Sequence, residues 1–396
     1  MNDVAEGVRH WQCVRTLVRS ESEGEEAARF GGIACWQLLN LGWRIGLSAE
    51  EAWTLYEEGR GWTGRSGDLR IEFALDVAFA AAQILVAGDP AFASEWMQKA
   101  VCAARRSPDP EIRAIARGFD AYSLFLLGRL HEARESCDTV LEATRGHPEY
   151  GRDIWGVSSF AFCQHFRATL ECRLGDLETA NRMLEDAVRT ARVHGDKENE
   201  GWALSVSGDV AQMSGDPSAA IPLCRRYLEI AEKMGSPFSR IGAYLQQASL
   251  ACLTGDWDKA AGFSESAIDM LRERRTGLES ESLALAELAE ARLGAGRLEE
   301  ALASAEEAVE VARSRHTMIY ELHALLALAR VLLAVQGGQP PAFGRPWTGP
   351  MRSFARAERE ITSPSLISNV PSWRARRATP ARASAILARR SVASER

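Results

Sequence analysis

The sequence is poor in the features that announce chemistry. None of the 396 residues falls in a G-x-x-x-x-G-K-[ST] loop, so the backbone cradle of a P-loop nucleotide site is not expected. Eight cysteines are scattered, none in a C-x-x-C pair and none with a histidine at zinc spacing. That argues against a zinc site and leaves them as small buried hydrophobes. The seven histidines are equally dispersed. No catalytic residue, no metal ligand and no cofactor is therefore expected. No run approaches 18 uncharged apolar residues, so no membrane span is expected. The N-terminal MNDVAEGVRHWQ lacks the basic-then-apolar order of a secretory signal. The expected setting is the cytoplasm.

Basic charge is scarce in most of the chain. The net charge is −7, yet residues 339–396 hold eleven Arg and three acids, which leaves −15 for the rest. Duplex nucleic acid needs Lys/Arg patches to neutralise phosphate. The body is thus not expected to bind nucleic acid.

What the chain does have is a beat of glycines: Gly88, Gly128, Gly175, Gly215, Gly255 and Gly296. They are spaced by 40, 47, 40, 40 and 41 residues, each followed by Asp or Arg. Five positions after each comes alanine: Ala93, Ala133, Ala180, Ala220, Ala260 and Ala301. Twelve positions after four of them comes another: Ala100, Ala187, Ala267 and Ala308. A period near 40 in sequence rich in helix formers means stacked helix pairs. The expected fold is all-α, a right-handed α-solenoid of about seven helix-turn-helix repeats of roughly 40 residues. Each unit reads helix A, a Gly turn, helix B, and a second turn. The units fall near 27–68, 69–109, 110–148, 149–196, 197–237, 238–277 and 278–316, and a lone helix A follows at 318–335. The 149–196 unit is longer by seven residues, which are placed in its first helix around Trp155. The expected division is an N-terminal helix in 1–26, left from a preceding repeat, the solenoid over 27–335, and a Pro/Arg-rich tail over 336–396.

The Gly, Ala, Ala pattern resembles the tetratricopeptide repeat in lengthened form. The stretches LLNLGWRIGLSAEEAWTLYEEGR (38–60), KMGSPFSRIGAYL (233–245), RERRTGLESE (272–281) and ELHALLALARVLLA (321–334) are similar to the C-terminal arrays of large bacterial signalling proteins. In that family an adenylate/guanylate cyclase domain and a STAND-type ATPase precede the array. The resemblance covers residues 4–335 and implies a sensor or docking arm. No P-loop and no cyclase-like segment is present, so neither activity is carried over to any residue here.

After residue 335 the pattern stops, and half of the 14 prolines lie beyond 339. In a shifted frame GC-rich codons for 367–375 can read Leu-Glu-Arg-Ala-Glu-Leu-Ala-Arg, a good helix A. The tail from near 337–366 onward is accordingly read as a frame-shifted, disordered remnant. A genuine basic tail for acidic partners is the alternative.

In tetratricopeptide arrays helix A lines the concave groove. The candidate partner-binding residues are therefore Trp36, Trp43, Trp155, His165, Trp202, Gln212, Tyr244 and Gln247, where aromatics and amides would hold a peptide or helix. The same tryptophans would also serve to fill gaps between layers. The expected function is a non-catalytic protein–protein interaction and signal-sensing module. The alternatives are a small-ligand-sensing regulatory arm of a cyclase or ATPase, or of a transcriptional regulator. The apolar helix 318–335 has no helix B to cover it, so self-association through that end is expected.

Overall fold

The computed structural model describes residues 4–21 and 24–337. They lie in one compact unit, Met1–Pro346. The tail from residue 338, with its frame-shift reading, lies outside the described residues, as do the side chains of Phe119 and Trp155.

The described residues form helices and turns, with no strand among them. α1 (Val4–Glu21) packs on α2 (Glu25–Ile45), which pairs with α3 (Ala49–Ser66). The next hairpins are α4 (Leu69–Leu85) with α5 (Pro90–Ala104), and the broken helix α6 (Pro110–Ile115) plus α7 (Gly118–Leu126) with α8 (Leu130–Ala143). A short α9 (Arg152–Trp155) precedes α10 (Ser159–Leu174) and α11 (Leu177–Val193). Then come α12 (Lys197–Ser214) with α13 (Ala220–Met234), and α14 (Pro237–Thr254) with α15 (Trp257–Arg274). A 3-10 turn, Leu278–Ser280, leads into α16 (Glu281–Gly294), paired with α17 (Leu298–Ser314). α18 (Met318–Val335) ends the described chain. The fold is an α-solenoid of seven A/B hairpins.

The extra length in the fourth repeat is not an extension of its first helix, as the sequence suggested. Gly156 takes a left-handed conformation (φ 86°) and ends α9, and Ser158 starts α10 afresh by accepting from the Ala161 amide. The added length goes into the separate four-residue α9 and the turns around it instead.

The glycine beat is turn chemistry. All six glycines have φ between 69° and 95°, a region that L side chains avoid. Asp89 and Asp176 then cap the following helix B through their carboxylates, although Asp256 makes no such bond. The alanines five positions on are at most 2% exposed, which lets helix B lie close against helix A. Ala260→Leu should overpack this crossing and destabilise by about 1–3 kcal/mol. A urea midpoint unchanged from wild type would show the crossing to be loose.

The solenoid coils tightly enough to meet itself. The A–B turns of the first three repeats, at Gly46, Gly88 and Gly128, abut Arg274, Arg315 and Met318 respectively, each about five repeats further on. At Gly46 the Arg274 carbonyl occupies the space a Cβ would need. Ser236 Oγ donates to the Arg44 carbonyl at 3.1 Å, and Thr276 Oγ1 donates to the Trp43 carbonyl. These contacts form a seam along which one coil rests on the next.

α18 is apolar and long enough to cross a membrane by length and composition alone. One face packs into the array: Ile319, Tyr320, Ala324, Ala327, Leu328 and Val331 are buried, with α16 and α17 as its main neighbours. Met318, Leu333 and Val335 stay exposed.

Candidate partner-binding lumen

Helix A faces that meet across the coil define an inner lining. At one end it is aromatic. Phe162 on α10, Trp202 on α12, Phe238 on α14 and Trp43 on α2 form a chain of rings, with centroids 6.1, 6.4 and 4.9 Å apart. Beside it Arg44 grips Glu198 with two prongs, Nε to Oε1 at 3.0 Å and Nη2 to Oε2 at 2.9 Å. Arg44 also stands 4.0 Å over the Trp43 ring. Such an edge-protected, bidentate pair is the strong form of an ion pair.

The middle holds Tyr122, whose hydroxyl donates to Glu279 Oε1 at 2.9 Å from a residue 157 positions away. Burial pushes the Glu279 carboxyl up to about 8. Its Oε2 has no partner.

The other end is charged. Arg173 on α10 donates from Nη2 to Asp209 Oδ1 at 3.0 Å and from Nη1 to His323 Nε2 at 3.3 Å. Arg330 on α18 donates to Glu290 Oε1 on α16 at 2.9 Å. Glu287, one helical turn before Glu290, lies near Asp209, Glu290 and Arg173, and burial raises its carboxyl well above the usual range. His323 is only half-buried, yet desolvation, with Arg173 adding to it, holds its imidazole down to about 3.

The sequence-predicted residues fall in three groups. His165 and Trp202 come together, with ring centroids 5.8 Å apart, and Phe162 lies 5.1 Å from His165. Burial lowers the His165 imidazole to about 4. Trp43 joins them through Phe238, and Gln212 lies half-buried one turn beyond Asp209. The others point elsewhere. Trp36 is buried and donates to the Ile154 carbonyl at 2.7 Å, which anchors α9. Tyr244 packs on Phe263 of its own helix B, at 5.8 Å. Gln247 lies on the side of α14 opposite Phe238, nine residues on, with Nε2 buried and unpartnered. Trp36 is thus part of the core, while Tyr244 and Gln247 keep partial exposure. The Trp155 side chain lies outside the described residues.

Sequence reasoning missed the charged lining altogether. A signal was available: Glu287, Glu290, His323 and Arg330 interrupt Ala/Leu runs of helix A, where a solvated face would carry far more charge. No group of three or more His, Cys, Asp or Glu among the described residues could hold a metal ion.

Comparison with known proteins agrees with the helical-repeat fold. Residues 162–233 match the tetratricopeptide repeat family model, and residues 277–333 match that of anaphase-promoting complex subunit 5. No curated protein matches by sequence. Among solved structures, a Rap protein complexed with Competence and Sporulation Factor is similar at 14% identity and a TM-score of 0.63, over 90% of this chain and 98% of that one. NprR in complex with its cognate peptide NprX is similar at 13% identity and a TM-score of 0.50, over 92% and 99%. A STAND protein with a tetratricopeptide repeat sensor from Pyrococcus horikoshii gives 16% identity and a TM-score of 0.44, over 87% and 54%.

Proposed function

We propose that this chain is a non-catalytic recognition module that binds a short peptide, or an extended segment of a protein, along the lining of its helix A faces. The carrying observation is the lining itself: half-exposed side chains such as Trp202 and His323 inside the coil, aromatic at one end and charged at the other. Aromatic surface supplies most of the affinity in such sites, and a few placed polar groups set orientation. The tetratricopeptide fold supports the reading, and both the Rap and the NprR structures contain a bound factor or peptide. A sensing role within a cyclase- or ATPase-linked signalling system, inside the cell, rests on the resemblance of the four quoted stretches.

Hydrogen exchange on the full chain tests the reading. Added ligand should protect amides of α10, α12 and α14. Protection confined to α3, α5 and α8 would place binding on the outer surface and discard the lumen.

Self-association through α18 is part of the same proposal. Leu333 and Val335 are 41% and 49% exposed near the end of α18. Leu333→Glu with Val335→Glu should reduce the particle mass in light scattering to that of one chain. An unchanged mass would assign any association to another surface.

A further inference from the structure

We propose that the charged end of the lumen is a subsite for a cationic side chain of the bound peptide, a guanidinium or ammonium seated on Glu287 with the adjoining peptide carbonyl on Arg173. The inference rests on the peptide-binding reading above and adds the chemistry of the ligand.

Two unsatisfied groups point to it independently. Glu287 is 5% exposed, and its Oε2 has no hydrogen-bond partner. A buried carboxylate oxygen left unpaired costs more than most folds tolerate without a reason. Arg173 is nine-tenths buried, and although its terminal nitrogens reach Asp209 and His323, its Nε–H is also unpartnered. One group needs a donor and the other an acceptor. A basic residue within a peptide supplies both, the donor from its side chain and the acceptor from its backbone.

The local charge points the same way. Three carboxylates lie close enough to interact here, Asp209, Glu287 and Glu290. Two cations answer them: Arg173 holds Asp209, and Arg330 holds Glu290. His323 accepts from Arg173 and adds no charge. Cys252 borders the carboxylates from α14 with its thiol pushed upward, so it too is neutral. One carboxylate is left without a counter-charge. In the free protein burial disfavours the charged form of Glu287. A ligand cation would let it ionise, releasing its proton to solvent as the ion pair forms.

The test uses the full chain and two randomised pools of acetylated, amidated pentapeptides, one with arginine at the centre and one with citrulline there. Citrulline keeps the shape and removes the charge. Wild type should retain at least tenfold more of the arginine pool in equilibrium dialysis. Glu287→Gln, which keeps the size and melts no lower than wild type, should abolish the preference. Titration of a retained arginine peptide in two buffers of different ionisation enthalpy should show proton release that Glu287→Gln lacks. Equal retention of both pools by wild type would overturn the cationic subsite and leave the peptide reading standing. An arginine preference that survives in Glu287→Gln would overturn the assignment to this residue. Retention of neither pool would overturn both readings.

Discussion

Replacing Arg44 with methionine should destabilise the protein by about 3–5 kcal/mol, the usual cost of stranding one member of a buried ion pair. Arg44 is 4% exposed and Glu198 10%, so solvent cannot replace the lost partner. The guanidinium does three jobs at once. It grips Glu198 with two prongs, donates from Nη1 to the Asn40 carbonyl at 2.5 Å, and covers the Trp43 ring. It also stands at the seam, where the carbonyls of residues 43 and 44 accept from Thr276 and Ser236. Glu198→Met added to Arg44→Met should restore a large part of the loss, because the buried charge is then gone from both sides. Urea denaturation of the two variants is the measurement. A single variant within about 1 kcal/mol of wild type would mean that the pair does not hold the coils together.

Glu279→Gln should do the reverse, and only above a certain pH. The Glu279 carboxyl is raised to about 8 by burial, against the Tyr122 hydrogen bond and Arg315, which favour its charged form. An unfolded glutamate loses its proton near 4.3. Between these values the unfolded chain sheds a proton that the folded chain keeps, so stability drains away as pH rises from about 4.5 to 8 and then levels off. Glutamine keeps the shape and cannot titrate. Wild type and variant should therefore match near pH 4.5 and diverge to a few kcal/mol at pH 8, with the variant the more stable. His165 and His323 act with opposite sign. Their imidazoles are depressed to about 4 and about 3, so both weaken the fold as pH drops below 6.5. They are common to both proteins and cancel in the difference. Parallel stability curves across this range would sink the argument.

The repeat was legible because it is local. A glycine in the left-handed region, a cap and two close-packed alanines all act within about twelve residues of one another, and each leaves a periodic mark. The division of the third repeat's first helix into α6 and α7, and the separate α9, leave no such mark. The lumen was harder to read for a different reason. A helix A in a tight coil is buried on its helix B sides and also on its axial side, so a single apolar stripe does not say which side a given aromatic faces. Tyr244 and Trp202 look alike in sequence, yet one packs on its own helix B and the other on the neighbouring helix A. Only the pitch of the coil separates them. The pitch is set by contacts such as Arg44 with Glu198, which are 154 residues apart. Those residues gave a faint signal as charges on otherwise buried faces, and so did the charged members of the lumen.

The seam also limits how such a chain can evolve. Open repeat arrays tolerate duplication and loss of whole units, since each unit knows only its neighbours. Here Gly46 must find the Arg274 carbonyl, Trp43 must find Thr276, and Arg44 must find Ser236. One unit inserted between residues 66 and 236 would carry every one of these partners forward by a full period and present the first coil with another repeat's turn. The number of units between the two halves of the seam is thereby fixed. Growth and shrinkage are left to the ends, beyond α1 or beyond α18.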